Sequence, residues 1–300
     1  MNKSKNNDEI ILQIKNIPFS RVINEWDKMK KLCSSQHGAT GELNGRSKLG
    51  CDFLDYYFFS HRLETIGNKG INFYDFLENI DHYKGKKYIQ TLLTFCEKKN
   101  RYINQDIKKY YYIYGLCFGR CNAFKITNAL EIYIKYKPTV ILDPFCGFGG
   151  RLVGALLLNA DYIGFDLNDD LKNAYDKLLD DFGKKSNATV SLTFADSLSI
   201  NYGELKYDMV FTSPPYENIE IYKNSTKKTI HEWSLFYKTI FQKTWDGLSN
   251  GGTYAININE TIYNKSLVPL FGECHEKLEL KKSTRNTKYK EYIYIWKKQY

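Results

Sequence analysis

Helical periodicity dominates the first third of the chain. Apolar residues recur close to every 3.6 positions, a spacing that places them along one face of a helix. We therefore predict amphipathic helices in FSRVINEWDKMKKL (19–32), LDYYFFSHRLETI (54–66), FYDFLENI (73–80) and YIQTLLTFCEKK (88–99). The Gly- and Ser-rich segment 34–50, which carries His37, Arg46 and Lys48, predicts a surface connection. A loop that closes on a phosphate backbone is the alternative.

The pattern changes near residue 115, where short apolar strands begin to alternate with helices. This alternation is typical of a mostly parallel sheet with helices on both faces. The predicted strands are 138–143, 161–166, 189–196, 207–212, 253–260 and 291–298, and the predicted helices are 123–136, 150–159, 168–182 and 230–248. We expect an α/β fold, a Rossmann-like doubly wound sheet whose functional groups lie at the carboxyl ends of its strands. The predicted division is a mostly helical domain at 1–115 and the sheet domain at 116–300.

The composition restricts the class of protein. The 300 residues, 43% of them hydrophobic, suffice for one large domain or for a catalytic domain with a smaller companion. Every apolar run falls short of the ~20 residues of a membrane span, and the polar N-terminus MNKSKNNDE lacks a signal-peptide core. We expect a cytoplasmic protein. The seven scattered cysteines favour free thiols over a disulfide framework, and Cys117 and Cys121 lack the second ligand pair that a zinc site needs.

The charge is unevenly distributed. The net charge is +9, and residues 1–115 contain 19 Lys and Arg against 13 Asp and Glu. A basic surplus interleaved with aromatic residues is typical of a surface that binds a polyanion. The alternative is compositional bias, because Lys, Asn, Ile and Tyr are abundant throughout the chain.

A glycine-rich segment, DPFCGFGGR (143–151), follows the first strand of the sheet. Gly147, Gly149 and Gly150 allow a tight turn and a close approach to a ligand, and the next helix contributes its positive N-terminus. Asp143 at the strand end would repel a phosphate and attract an ammonium or sulfonium group. This chemistry differs from that of a pyrophosphate site.

Acidic residues also end the next two strands. Asp166 lies about 20 residues beyond the turn, where a carboxylate can accept hydrogen bonds from both hydroxyls of a ribose. Asp196 can accept from an adenine amino group, and Phe145 or Leu167 can cover the ring. Taken singly, each acid could instead cap a helix. Together they describe a pocket for an adenosine with an amino-acid tail, which is S-adenosyl-L-methionine.

Two prolines follow the fourth strand in TSPPYENIEIY (212–222). A proline has no N–H and pushes the preceding residue into an extended conformation. The carbonyls of Ser213 and Pro214 should therefore be fixed acceptors for an exocyclic amino group, with Tyr216 stacked on its plane. Such acceptors favour the geometry that frees the lone pair of the amino nitrogen. In-line transfer of a methyl group requires neither a metal nor a covalent intermediate.

The motifs DPFCGFGG, FDLN, ADS and TSPPY, in this order, resemble those of the S-adenosylmethionine-dependent DNA amino-methyltransferases. The resemblance covers roughly residues 120–300 and implies methylation of adenine N6 or cytosine N4 in a base flipped out of DNA. It implies catalytic residues Ser213, Pro214, Pro215 and Tyr216. It implies that the cofactor contacts Phe124, Asp143, Phe145, Gly147, Gly149, Asp166, Leu167, Asp196 and Ser197, with Lys125 near it.

The chain departs from the usual arrangement of that family. The gaps between its motifs have no room for a separate target-recognition domain. Residues 1–115 are therefore the candidate region for recognition of the DNA sequence. Ile221 and Tyr222 are candidates for a second wall of the base pocket, and Lys223 for a phosphate contact; a plain surface loop is the alternative. No proline precedes a cysteine, which argues against methylation at cytosine C5. Two alternative interpretations stay open. One is an RNA or protein-glutamine N-methyltransferase, because the nitrogen of a guanine amino group or of a side-chain amide is an equally weak nucleophile. The other is a catalytically silent subunit that binds nucleic acid for a partner.

Overall fold

A computed structural model of the chain describes residues 3–34, 43–67, 69–217, 227–280 and 291–299. Helices fill the part before the sheet, as predicted, with α1, α5 and α7 added to the predicted set. They are α1 (Lys3–Ile14), α2 (Phe19–Ser34), α3 (Cys51–Glu64), α4 (Phe73–Glu78), α5 (Ile80–Lys84), α6 (Lys87–Lys98) and α7 (Asp106–Cys117).

Strands and helices then alternate through the remaining chain. The strands are β1 (Val140–Asp143), β2 (Asp161–Asp166), β3 (Val190–Phe194), β4 (Met209–Thr212), β5 (Thr253–Asn259), β6 (Glu276–Glu279) and β7 (Glu291–Lys297). The helices are α8 (Ile126–Tyr136), α9 (Gly150–Leu158), α10 (Lys172–Phe182), α11 (Ile230–Asp246), α12 (Glu260–Ile262) and α13 (Val268–Phe271). A π-helical turn, Tyr263–Leu267, joins α12 to α13.

The strands form one sheet in the order β3-β2-β1-β4-β5-β7-β6. Strands β1 to β5 are parallel, whereas β7 runs antiparallel to both β5 and β6. The chain moves outward from β1 to β3 and then returns to the other side of β1 at β4. A crevice forms at such a switch point, outside the carboxyl ends of the strands. The predicted α/β fold with a Rossmann-like doubly wound sheet is confirmed.

Each face of the sheet has its own hydrophobic core. Alternate strand residues point to opposite faces, so neighbours such as Ile141 and Leu142 belong to different cores. Helices α2, α3, α8, α9 and α10 cover one face, and α11 with the α12–α13 segment covers the other. Helices α2 and α3 therefore complete the core of the sheet domain.

A third core lies among the N-terminal helices. It joins Phe59 and Leu63 of α3 to Phe73, Phe76, Ile89 and Ile113 on the helices α4, α6 and α7. Because α3 contributes to both this core and the core beneath the sheet, it links the two parts of the chain. The domain division at residue 115 stays a prediction.

The differences from the predicted elements are local. Strand β6 was missed because three of the four residues of its sequence, EKLE, are charged. It lies at an edge of the sheet, where charged side chains are tolerated. The helix predicted at 168–182 is a 3₁₀ turn at Asp169–Leu171 followed by α10. Within the described residues, no helix has the length and apolarity to cross a bilayer.

Gly150 marks the tightest approach of two backbone segments at the switch point. A Cβ added there would lie 1.9 Å from the carbonyl oxygen of Phe124, which belongs to the segment before α8. No side chain fits at that distance, so the backbone of Phe124 can lie against the start of α9 only if residue 150 is glycine. The glycine-rich turn thus packs directly on the segment that leads out of the helical region.

We expect Gly150→Ala to lower the free energy of unfolding by about 1–3 kcal/mol, the usual cost of forcing an extra group into a packed interior. Chemical denaturation monitored by circular dichroism measures this change. The control is Gly183→Ala, where the backbone is helical (φ −56°) and the added Cβ would make an ordinary 3.7 Å contact with Leu179. Equal stability of the two variants would contradict the packing described here.

Candidate functional site

Asp143 lies at the carboxyl end of β1, fully buried beneath the glycine-rich turn. Its carboxylate accepts hydrogen bonds from Arg151 Nε at 2.6 Å, Thr212 Oγ1 at 2.7 Å and the hydroxyl of Tyr162 at 2.5 Å. Arg151 also donates to the carbonyl of Phe145, which closes the turn onto its own strand. Burial disfavours the charged guanidinium, but the adjacent Asp143 carboxylate outweighs it and raises the pKa of Arg151.

This network assigns Asp143 a structural task. Its negative charge is compensated by Arg151, a residue of the same quoted motif for which no role was predicted. The carboxylate holds β1, β2, β4 and the start of α9 together at the switch point. Its predicted contact with the cofactor stays a prediction.

Asp166 ends β2 and reaches back to the same turn. Its Oδ2 accepts from the backbone N–H of Gly147 at 2.8 Å, and its Oδ1 accepts from the N–H of Asn168 at 3.0 Å. Burial raises the pKa of the Asp166 carboxyl to about 6, and the two backbone N–H groups partly oppose this rise. Gly147 has a left-handed φ of +56°, and a Cβ there would meet only the Phe145 carbonyl, at 3.9 Å. The space beside Gly147 is therefore open to a ligand that also reaches Asp166.

The carboxyl end of β3 lies beside that of β2. Asp196 is exposed and accepts from the N–H of Leu198 at 3.0 Å, the capping arrangement that was the alternative reading of this residue. Ser197 is buried and donates to the carbonyl of Pro144 at 2.5 Å, which ties this strand end to the glycine-rich turn. The structure thus brings the acidic ends of β1, β2 and β3 to one edge of the sheet.

Apolar side chains surround this edge. Leu167, directly after Asp166, is 43% exposed, so its side chain is accessible to a ligand at this edge. Phe145 is partly buried against Phe236 of α11, with ring centroids 5.8 Å apart. Phe124 stands perpendicular to Phe211 at 5.4 Å, and the guanidinium of Arg151 lies 5.2 Å from the centre of its ring. Lys125 is directed away, donating from Nζ to the carbonyl of Ser47.

The proline turn follows β4, beside the glycine-rich turn. Its last carbonyl, that of Pro215, accepts a hydrogen bond from the hydroxyl of Tyr237 on α11 at 2.7 Å. The N–H of Glu217 donates to the same hydroxyl at 2.9 Å, where the chain adopts a left-handed φ of +50°. Within the described part of the chain, no donor reaches the carbonyl of Ser213 or of Pro214. Their predicted role as acceptors for an exocyclic amino group stays a prediction.

The hydroxyls of the turn are engaged with each other and with two later strands. Ser213 Oγ lies 3.0 Å from the hydroxyl of Tyr216 and 3.2 Å from Oδ1 of Asn257. The Tyr216 hydroxyl donates to Oε1 of Glu291 at 2.8 Å and also lies 3.1 Å from the carbonyl of Asn257. Asn257 in turn donates to the carbonyl of Tyr292 at 3.1 Å. The network fixes the ring of Tyr216 by its polar end.

Sequence reasoning missed Asn257, Glu291 and Tyr237. Asn257 carried a usable signal, since a polar residue interrupts the apolar strand TYAININ. Glu291 and Tyr237 had none, because their partners lie 75 and 22 residues away in the sequence. Three other candidates, Ile221, Tyr222 and Lys223, lie outside the described residues, as does His37.

Comparison with known proteins gives the nature of the site. No family model matches the chain. The tRNA (guanine(10)-N2)-dimethyltransferase of Methanocaldococcus jannaschii is 28% identical over 152 residues, which are 47% of this chain and 37% of that protein. The chain therefore spans little more than a third of this relative. The probable tRNA (guanine(10)-N2)-dimethyltransferase of Methanothermococcus thermolithotrophicus is 30% identical over 170 residues, 54% of this chain and 90% of that protein.

Solved structures overlap more loosely. The M. jannaschii tRNA m1G37 methyltransferase covers 58% of this chain and 49% of its own, with 16% identity and a TM-score of 0.40. The Thermus thermophilus 16S rRNA N2 G1207 methyltransferase, in complex with AdoMet and guanosine, covers 58% and 42%, with 16% identity and a TM-score of 0.38. Overlaps this low add nothing to the assignment.

The relatives correct one part of the sequence interpretation and confirm another. The resemblance to DNA amino-methyltransferases, the DNA partner and the adenine N6 or cytosine N4 target are wrong, because the matching proteins are tRNA guanine-N2 enzymes. The motif misled because the proline turn fits a planar amino group, which all three bases carry. The prediction of an S-adenosyl-L-methionine-dependent methyltransferase domain is confirmed. With 30% identity over 90% of the second relative, the chain belongs to the family of the tRNA (guanine(10)-N2)-dimethyltransferases.

Proposed function

We propose that this chain transfers methyl groups from S-adenosyl-L-methionine to the exocyclic N2 amino group of a guanine in RNA, most specifically in tRNA. The observation that carries the proposal is the pair of carbonyls at Ser213 and Pro214 beside the glycine-rich turn, which no hydrogen-bond donor of the described residues reaches. The family relationship supplies the class of base. The hypothesis of an RNA methyltransferase, the alternative in the sequence analysis, thus replaces the hypothesis of a DNA methyltransferase.

The cofactor would lie along the carboxyl edge of the sheet. The ionised Asp166 would accept hydrogen bonds from the ribose hydroxyls, and Asp196 with Ser197 would meet the adenine. Phe145 and Leu167 would cover the ring, with Phe124 and the backbone of Gly147 and Gly149 beside the amino-acid tail. The bound sulfonium supplies an activated methyl group.

The chain's own residues would prepare the acceptor nitrogen. The lone pair of guanine N2 is delocalised into its ring, so the nitrogen is a weak nucleophile. Carbonyls at Ser213 and Pro214 that accept its two hydrogens favour the pyramidal geometry in which the lone pair is available. As the N–C bond forms, the S–C bond breaks, and the nitrogen then loses one proton to water. Tyr216 would stack on the base and keep it in line.

The substrate class is tested by offering labelled cofactor with an unmodified tRNA transcript, a DNA duplex and a protein extract in parallel. We expect label only in the tRNA, recovered as N2-methylated guanosine after nucleoside digestion. The matched control is a transcript with inosine at the modified position, which lacks only the 2-amino group and should accept no label. Label in DNA alone, or equal labelling of the inosine transcript, would contradict the proposal.

The role of Asp166 predicts a pH dependence of cofactor binding. The carboxylate must be ionised to accept the ribose hydrogens, and burial raises its pKa to about 6. Protonation competes with binding, so affinity should be constant above about pH 7 and fall by up to about tenfold per pH unit below about pH 6. Titration calorimetry between these values measures it. Asp166→Asn should bind weakly at every pH without this slope; the same slope in that variant would assign the titration to another group.

Variants of the proline turn should change the turnover of RNA, whereas variants of the cofactor edge should change the affinity for the cofactor. Tyr216→Ala removes a stacking surface worth roughly 1–3 kcal/mol per base, so kcat/KM for RNA should fall about 10- to 100-fold. Ser213→Ala removes a hydroxyl that helps to fix Tyr216 and should lower turnover as well. Both variants should bind the cofactor as the unmodified protein does, whereas Asp166→Ala should not. Equal loss of cofactor affinity in all three would mean that the proline turn belongs to the cofactor site.

A further inference from the structure

The region from Lys84 to Lys109, here called the basic hairpin, has a charge that the proposed active site does not explain. It contains eight Lys and Arg residues against two acids, Glu97 and Asp106. Helix α6, the following turn and the start of α7 make up this region. It therefore carries six of the nine net positive charges of the chain in 26 residues.

Most of these cations have no acidic partner. Lys84 pairs with Asp81 and Lys109 pairs with Asp106. No carboxylate among the described residues forms an ion pair with the exposed cations Lys86, Lys87, Lys98, Lys99 and Arg101. The surface thus presents a cluster of uncompensated positive charge to solvent.

Aromatic rings lie among these charges. Tyr88, Thr91, Phe95 and Lys98 are all exposed and follow one face of α6 at helical spacing. Tyr88 is 50% exposed and Phe95 is 39% exposed, so both rings are accessible from solvent. The guanidinium of Arg101 lies 5.7 Å from the centre of the Phe95 ring. Alternating cations and aromatic faces form the surface that stacks on bases and follows a phosphate backbone.

The turn after α6 holds these groups in a defined conformation. Asn100, Tyr102 and Asn104 all have left-handed φ values, between 48° and 56°. Asparagine tolerates this region, but tyrosine seldom adopts it. The N–H of Arg101 donates to the carbonyl of Cys96 at 2.8 Å, and Arg101 Nη1 donates to the hydroxyl of Tyr112 at 3.0 Å. The guanidinium is therefore fixed at the tip of the hairpin.

The hairpin is connected to the glycine-rich turn through the packing of α3. Ile89 of α6 packs in the third core with Phe59 of α3. One residue earlier on α3, the ring of Phe58 lies 3.0 Å from the position of a Cβ at Gly149. An RNA held by the hairpin would thus be held at a fixed position relative to the cofactor turn.

We propose that the basic hairpin binds the sugar–phosphate backbone of the substrate RNA outside the nucleotide that is methylated. The surface combines phosphate-binding cations with exposed rings that can stack on unpaired bases, and the proposed function makes RNA the polymer that would occupy it. The proposal rests on the proposed function for the nature of the substrate. It extends that function by assigning a second surface that contacts the RNA. The motifs at the strand ends give no information about this surface.

The test compares two triple variants of the full chain with equal loss of charge. Lys98→Gln, Lys99→Gln and Arg101→Gln together neutralise the tip of the hairpin. The control, Lys184→Gln, Lys185→Gln and Lys206→Gln, neutralises three exposed lysines near the amino ends of β3 and β4, at the opposite edge of the sheet. Filter binding of an unmodified tRNA transcript is measured at several salt concentrations. Cofactor affinity and circular dichroism establish that both variants are folded.

We expect the hairpin variant to bind the transcript about tenfold more weakly. The slope of log Kd against log salt concentration should fall by about two, since each lost phosphate contact removes about 0.7–0.9 from it. Its KM for RNA should rise, with kcat at saturating RNA preserved. Equal Kd values and salt slopes in the hairpin and control variants would overturn the proposal.

The two proposals fail in different ways. If the unmodified protein binds the transcript without methylating it and the hairpin variant loses that binding, the proposed function fails and the hairpin surface stands. If the unmodified protein methylates the transcript and both variants bind it equally, the function stands and the hairpin surface fails. Weak binding by both variants in equal measure would indicate attraction by net charge alone and would also overturn the hairpin proposal.

Discussion

The buried ion pair between Asp143 and Arg151 is the interaction on which the rest of the site depends. Two charges removed from water are stable only when each is compensated and hydrogen-bonded, and removing one partner of such a pair costs about 3–5 kcal/mol in proteins. Here the carboxylate is satisfied by groups from β2, β4 and α9 as well as from its own turn. This requirement fixes the relative positions of the strand ends, and with them the glycine-rich turn and the proline turn. Asp166 and Ser197 then tie the ends of β2 and β3 to the same turn.

A second polar network extends this order to the far side of the sheet. Tyr216 is held through its hydroxyl by Asn257, near the carboxyl end of β5, and by Glu291, at the start of β7. Because β7 is antiparallel, its first residue lies beside the last residues of β5, at the functional edge of the sheet. The reversed strand thus contributes a carboxylate where a parallel strand would end. Tyr237 and this network engage the other polar groups of the turn, and no donor of the described residues reaches the carbonyls of Ser213 and Pro214.

Much of the fold follows from local patterns, but the supports of the site do not. Strands such as VILD and MVFT are apolar up to their last residue because both faces are covered, and this made them predictable. The positions of Asp166, which ends β2, and of the two prolines, which follow β4, were also predictable from the strand pattern. Glu291 and Asn257 act across 75 and 41 residues of sequence, and no spacing rule connects them to Tyr216. Nor does amphipathicity reveal that α2 and α3 pack beneath the sheet.

The misassigned substrate has a physical cause. The proline turn provides two carbonyl acceptors and a ring, which are complementary to a planar group bearing an amino nitrogen. Adenine, cytosine and guanine all satisfy that description, in DNA and in RNA, so residues 212–217 cannot distinguish among them. Discrimination requires contacts with the rest of the polymer, and these must come from surfaces outside the sheet edge. The basic hairpin, joined through α3 to Gly149, is the surface that we propose for such contacts: its cations and exposed rings would bind the polymer, while the strand ends would position the atom that is methylated.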